Sequence, residues 1–232
     1  MEKILSRPKS LYFRPNKNVF EEEAWKAGSY VCGIDEVGRG CLAGPVVAVA
    51  ALLPPYTDHS LLVDSKILSE TNRLEAYAWL QENAVWATGI ISADLVDTLN
   101  IYRATQKAMR RAFFGLLAQM GNHRTLHAVT IDAMPLSFIG YTHIPVHAHP
   151  KGESWSCSVA AASIIAKVLR DHLMSQAAQD FPSYFFDAHK GYGTASHHQG
   201  LSFAGPSLLH RVSFLKDSST TSRDHNEQTS LF

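Results

Sequence analysis

The sequence predicts an α/β protein in which a sheet carries helices on both faces. Three observations predict it. Two strand-like apolar stretches come first, at 30–34 and 45–53. Strand-like and helical runs then alternate. The helical runs near 98–120 and 159–173 repeat apolar residues in steps of three and four, the spacing of a helix that buries one side.

Taken in order, residues 1 to about 28 are polar and weakly patterned, with Glu21, Glu22 and Glu23 opening a short helix. The strands 30–34 and 45–53 are joined by the glycine-rich turn Gly38-Arg39-Gly40. Residues 68–83 read as a helix, although Ser69 and Asn72 make a poor capping box. Val85 to Ile91 is a third strand. Tyr102, Met109, Phe113, Leu116 and Met120 mark the apolar side of a helix over 98–120. A short strand, 128–131, ends at Asp132, and 141–146 is expected to be the next. Val159, Ala162, Ala166, Leu169 and Leu173 mark the following helix. From Asp217 to Gln228 the chain is rich in Ser, Thr, Asp, Asn and Arg, the composition of a disordered tail. The expected division is an N-terminal extension over 1–29, a catalytic domain over 30–216 and a tail over 217–232.

With 232 residues the chain can bury a sizeable core without a disulfide or metal staple. Lys plus Arg (21) balances Asp plus Glu (21), which excludes a polybasic protein whose affinity comes from bulk charge. A nucleic-acid enzyme stays open, because a basic groove and an acidic metal site cancel in the sum. Cys32, Cys41 and Cys157 form no CxxC pair and point to a reducing, cytoplasmic setting as core fillers. The charged start has no signal-peptide core, and the longest apolar run, 42–55, is broken by Gly44, Pro45 and the Pro54-Pro55 pair. No membrane partner is expected.

The chemistry concentrates in four places. Asp35 and Glu36 stand side by side at the end of an apolar strand, followed at once by the glycine-flanked Arg39. Adjacent strand residues point to opposite faces, so either the strand ends or bulges here or one carboxylate alone faces a site. The pair could equally be a solvated opening to a tight turn. Asp132 ends another strand, and acids at two strand ends are the skeleton of an oxygen-ligand Mg²⁺ or Mn²⁺ site, unless Asp132 merely caps its turn. Glu153 precedes a helix, where the dipole alone would favour it. On that helix Ser163, Lys167 and Arg170 share a polar face, free to reach a phosphate or to stay solvated. The run His189-Lys190-Gly191-Tyr192-Gly193-Thr194 offers a backbone that can approach a ligand and a tyrosine that could stack or simply pack. His143, His147 and His149 raise a zinc hydrolase as an alternative, against which their loop-or-strand spacing argues.

These segments together resemble the type 2 ribonuclease H family, and within it the bacterial ribonuclease HII group. Gly33-Ile34-Asp35-Glu36-Val37-Gly38-Arg39-Gly40 with Leu42-Ala43-Gly44-Pro45 carries the resemblance first, then Asp64-Ser65-Lys66. Ile131-Asp132, Lys151-Gly152-Glu153, the stretch from Ala160 to Asp171, the tyrosine loop and His210-Arg211 follow in order, across roughly residues 30–215. The resemblance implies a ribonuclease H-like fold, a central mixed five-stranded sheet flanked by helices with a helical C-terminal segment. It implies a metal-dependent endoribonuclease that cuts the RNA strand of RNA–DNA hybrids and single ribonucleotides embedded in duplex DNA, a step of ribonucleotide excision. Two-metal hydrolysis would leave 3′-hydroxyl and 5′-phosphate ends. Asp35, Glu36 and Asp132 match the family's metal site, with Glu153 as a fourth catalytic acid where aspartate is usual. Gly38, Arg39 and Gly40 match the loop that grips the ribonucleotide, and Tyr192 matches the tyrosine at the RNA-to-DNA junction. Cys41 stands where proline is usual. Lys66, Lys167 and Arg170 are candidates for phosphate contacts. A monomer is expected, with a weak signal for replication-clamp contact in Gln228 to Phe232. The related HIII group carries a large N-terminal substrate domain, for which some 29 residues leave no room.

Overall fold

The computed structural model describes residues 18–121 and 124–218. The elements run α1 (Val19–Lys26), β1 (Tyr30–Val37), β2 (Val46–Leu52), α2 (Glu70–Asn83), β3 (Val85–Ile91), α3 (Ala93–Leu99) and α4 (Ile101–Met120). They continue with β4 (Leu126–Asp132), β5 (Val146–His149), α5 (Cys157–Asp180), α6 (Phe186–His189), α7 (Ala195–Ala204) and α8 (Val212–Ser218), with 3-10 turns at Gly152–Ser154 and Pro182–Tyr184. The five strands form one mixed sheet in the order β3-β2-β1-β4-β5. β1, β2 and β3 pair antiparallel, whereas β4 lies parallel to β1 and β5 parallel to β4.

The sheet is covered on both faces, which explains why β2 reads as an unbroken apolar run. Alternate residues divide between two cores: Val46, Ala48, Ala50 and Leu52 face α4, with Met109, Phe113 and Leu116. Val49, Ala51 and Leu53 face α5 and α2, against Ala160, Ala161, Ile164 and Leu80. The start of α5 is buried almost all round, and its small residues let it lie close to the sheet. Gly33 makes that approach possible, since a Cβ there would sit 2.1 Å from the Ser158 carbonyl carbon. α1 fastens to the same place: buried Glu21 accepts hydrogen bonds from the Ser156 hydroxyl and the Ser158 amide at the head of α5.

Three local expectations need correction, and a fourth, the poor capping box at Ser69, holds. β1 does not end before the acids: it runs through Asp35 and Glu36 to Val37, paired with β2 in unbroken register. Residues 141–145 are not strand. Their amides close successive turns onto Phe138 and Tyr141, and pairing with β4 starts at Val146. Phe138 and Tyr141 instead plug the α4-side core against Phe113, with ring centroids 3.9 and 5.8 Å away. The helix over 98–120 begins at Ile101, because Asn100, at φ 65°, breaks it from α3 and caps α4 with its side chain. Ser69 does cap α2, accepting from the Asn72 amide without the reciprocal acid of a capping box.

Candidate active site

The parallel pairing of β1 and β4, in register through Ile34 and Ile131, brings Asp35 and Asp132 side by side at the carboxyl ends of neighbouring strands. Glu153 arrives on the 3-10 turn that leads into α5, and the Gly152 amide beside it donates to Asp132 Oδ1 at 3.0 Å. Asp35 is held twice: the Glu36 amide donates to its Oδ1 at 2.7 Å, and the Ser163 hydroxyl reaches it from α5. Ser163 Oγ lies 2.9 Å from Ser65 Oγ, so the Asp64-Ser65-Lys66 loop is docked onto the same acid through a serine pair. Sequence reasoning missed this link. Its signal was a serine, Ser163, inside an otherwise apolar stretch of helix.

These carboxylates stand in one another's field. Burial pushes the Asp35 carboxyl up to about 8, and the charges of Glu36 and Asp132 add to it, against the Ser163 hydrogen bond. Glu36 is also raised, by burial and by Asp132, while Arg39 and Lys66 pull it down. Glu153 is raised by burial and then by Asp132 and Asp64. Glu36 Oε1 accepts from Arg39 Nη1 at 3.2 Å, but its Oε2 is buried with no hydrogen-bond partner. Among the described residues no three His, Cys, Asp or Glu side chains converge into a ready-made metal cage. The donor set is nonetheless all carboxylate, the chemistry of hard divalent cations, and the orphaned Glu36 oxygen and the elevated acids fit positive charge at this spot. His147 and His149 do not join the acids; their rings stack with Phe20.

Beside the acids lies the Gly38-Arg39-Gly40 turn. Gly38 has φ +93°, and a Cβ there would lie 2.2 Å from Arg170 Nε. Two buried arginines hold this turn and the segment that follows it. Arg211 donates to the carbonyls of Arg39 (2.9 Å) and Gly44 (2.8 and 3.1 Å). Arg170 donates to those of Pro45 (3.0 Å), Ala43 (3.1 Å) and Lys190 (2.8 Å). The expectation that Ser163, Lys167 and Arg170 share a polar face is therefore corrected: Ser163 and Arg170 are buried and Arg170 donates inward to backbone, leaving Lys167 paired with Asp171 at 2.9 Å. Arg211 was visible in the sequence only as part of a motif, and its burial explains its place there.

Tyr192 stands over this arrangement, 39% exposed, with the Arg170 guanidinium 5.9 Å from its ring centre. Gly191 accepts hydrogen bonds from the amides of Leu42 (2.9 Å) and Ala43 (3.3 Å), which ties the tyrosine loop to the Gly-Arg-Gly turn. Cys41, fully buried, hydrogen-bonds Tyr192 from beneath, and burial pushes its thiol up.

The profile of the family described as Ribonuclease HII matches residues 32–217. The chain belongs to the ribonuclease HII family. Ribonuclease HII of Ligilactobacillus salivarius is 43% identical over 201 residues, covering 86% of this chain and 75% of that protein. That of Alkaliphilus metalliredigens is 39% identical over 203 residues, covering 87% and 98%. Among solved structures, RNase HII of Archaeoglobus fulgidus, in a complex with PCNA, superposes with a TM-score of 0.62 at 21% identity, covering 79% of this chain and 94% of that one. Bst-RNase HIII in complex with Mn²⁺ gives 0.62 at 19% identity, covering 84% and 70%. The fold is thus that of ribonucleases HII and HIII. Ribonuclease HII is a divalent-metal-dependent endonuclease that cleaves the RNA of RNA–DNA hybrids and ribonucleotides within DNA, and that is the activity of this chain. Among the described residues no helix is long and apolar enough to cross a membrane.

Proposed function

We propose that Asp35 and Asp132 hold the divalent ions, Mg²⁺ or Mn²⁺, directly, with Glu36 and Glu153 completing the acidic set or orienting bound water. One observation carries this reading: acids from two adjacent parallel strands and from the turn before α5 share one electrostatic field, with a buried, unpartnered oxygen on Glu36. When bound, such ions supply charge stabilisation for the attacking and departing oxygens of a phosphodiester. The protein does the rest. Ser163 and the Gly152 amide orient Asp35 and Asp132, so their carboxylates need not reorganise. Attack by water rather than by the ribose leaves 3′-hydroxyl and 5′-phosphate ends.

Substrate selection belongs to the neighbouring loops. The backbone of Gly38, Arg39 and Gly40 can approach the 2′-hydroxyl, the group that distinguishes RNA from DNA at one position. Tyr192 packs at the RNA-to-DNA junction. Lys66 and Lys167 contact phosphates and position the duplex without reading its sequence. Arg170 serves substrate indirectly, by holding the Ala43–Pro45 segment after the turn and the Lys190 carbonyl at the start of the tyrosine loop. The catalytic unit is 30–216 and acts as a monomer in the cytoplasm, with 1–29 as an extension and 217–232 as a tail. Residues 217–218 close α8; the rest of the tail, and with it the clamp-like end 228–232, lies outside the described residues. The PCNA complex of the Archaeoglobus protein supports the reading of a clamp contact.

The test is a DNA duplex with one embedded ribonucleotide, incubated with Mg²⁺ or Mn²⁺ beside an all-DNA control. Wild type should cut 5′ to the ribonucleotide and Asp132→Asn should not. Cutting of the all-DNA control would overturn the selectivity, and an active Asp132→Asn would overturn the site.

A further inference from the structure

Behind the tyrosine loop lie three buried histidines whose proton positions are dictated by their partners. His189 ends α6, His197 sits in the first turn of α7 and His210 precedes α8; they are 8%, 0% and 3% exposed. The rings of His189 and His197 stack with centroids 4.4 Å apart. His197 Nδ1 lies 2.9 Å from the Tyr192 carbonyl oxygen, which can only accept, so Nδ1 carries a proton. A neutral His197 then offers a lone pair at Nε2, and His210 Nε2, 2.9 Å away, must donate to it. That leaves His210 Nδ1 as an acceptor, and the Ser207 amide donates to it at 2.9 Å. The assignment closes without conflict: Ser207 to His210 to His197 to Tyr192.

His189 repeats the pattern in parallel. Its Nε2 donates to the Tyr184 carbonyl at 2.7 Å, and its Nδ1 accepts from the Gly191 amide at 3.1 Å. Its own carbonyl accepts from the Tyr192 amide at 3.0 Å. The backbone on both sides of the Tyr192 side chain is thus fixed by neutral imidazoles. A second proton on His210 would set Nδ1–H against the Ser207 amide and leave only the Ser207 hydroxyl, 2.8 Å away, to accept it, and one on His197 would set two Nε2–H groups face to face. Burial disfavours both charged forms. His210 is pushed down to about 4 by burial, then by His197 and His189. His197 is pushed down by burial and by His189 and His198. Tyr184, whose ring centre is 4.8 Å from that of His210, completes the titratable surroundings.

We propose that the Ser207–His210–His197 relay, with His189 beside it, positions Tyr192 for its contact with the ribonucleotide, making His197 and His210 positioning residues for substrate selection. The proposal rests on the reading of Tyr192 as a substrate contact. The relay holds the tyrosine loop against the segment that follows the Gly-Arg-Gly turn, where the Gly191 carbonyl already accepts from the Leu42 and Ala43 amides.

Steady-state cleavage of a duplex with one ribonucleotide is compared for wild type, His197→Phe and His197→Asn, each alone and combined with Tyr192→Ala. Loss of one hydrogen bond predicts KM raised roughly tenfold in His197→Phe with kcat within about twofold. His197→Asn, whose amide can donate from the Nδ1 position, should recover most of it. With Tyr192→Ala the His197→Phe effect should vanish, because the positioned group is gone. An equal KM rise with and without Tyr192, or none at all, would overturn the proposal. Long-range proton–nitrogen spectra of the wild-type imidazoles decide the relay independently of folding in the variants. His197 should be the Nδ1–H tautomer, with His189 and His210 as Nε2–H; any other pattern sinks it. Wild-type protein that cuts no ribonucleotide duplex would instead sink the nuclease reading, with the spectra still deciding the relay.

Discussion

Asp35 combines two properties that pull against each other, a buried setting and, on the proposed reading, a negative charge. Its raised carboxyl means that the folded state holds a proton more tightly than the unfolded chain does. The stability this contributes is full below the ordinary aspartate range, near 4, and is lost as pH rises through about 8. Without divalent ions, the melting temperature should therefore fall between pH 5 and pH 8.5, and Asp35→Asn should flatten that slope. A wild-type slope that Asp35→Asn leaves unchanged would remove Asp35 as its source. At pH 8 the same variant should melt a few degrees above wild type, about 2–4 °C for a chain of this size, while cleaving at least roughly a hundredfold more slowly, beyond what supporting groups cost. Adding Mg²⁺ should raise the wild-type melting temperature, and more so at pH 8 than at pH 6, because ion and proton compete for the same oxygens. Equal shifts at the two pH values would detach the ion from these acids.

Arg170 and Lys167 are near neighbours on α5 with opposite roles, and their variants separate the two. Removing the Arg170 side chain, as in Arg170→Leu, leaves the Ala43, Pro45 and Lys190 carbonyls unpartnered, at about 1–3 kcal/mol each. Lys167→Ala breaks only a partly exposed pair with Asp171 and should cost under about 1 kcal/mol. Denaturant midpoints check both. Lys66→Ala should reduce the slope of log affinity against log salt by about 1, the signature of one phosphate contact, measured on hybrid duplex. At this scale the sequence was legible where periodicity ruled. The 3.6-residue rhythm of α4 and the unbroken apolar run of β2 both gave their elements away. It was illegible where tertiary partners decide. The apolar residues around 138–144 plug a core rather than pair as a strand, and Asn100 interrupts a helical pattern because its side chain caps the next helix. Asp35 and Asp132 could be named as candidates because strand ends are where such sheets put function, and Glu36 and Glu153 joined them through the family resemblance. The serine pair and the buried arginines could not, since both act between segments about 100 residues or more apart.

Over the whole molecule, 21 basic and 21 acidic side chains leave no net field to draw in a polyanion, so affinity for duplex has to come from local contacts beside a cluster of acids. Shape and the 2′-hydroxyl then count for more than bulk attraction, which suits an enzyme that must pass over vast lengths of ordinary DNA. The fold adds a constraint of timing. Arg211 reaches back across 172 residues to the carbonyl of Arg39 in the Gly-Arg-Gly turn and across 167 to that of Gly44 just beyond it. On the ribosome, every acid emerges well before it. On the proposed reading, a nascent chain that has released Glu153 but not Arg211 carries the four acids and lacks this tie on the turn that meets the ribose. Selectivity, on that same reading, is completed only once Arg211 is in place, after all four acids have been made, and a chain that stops short of it lacks a tie that no earlier residue replaces among those described.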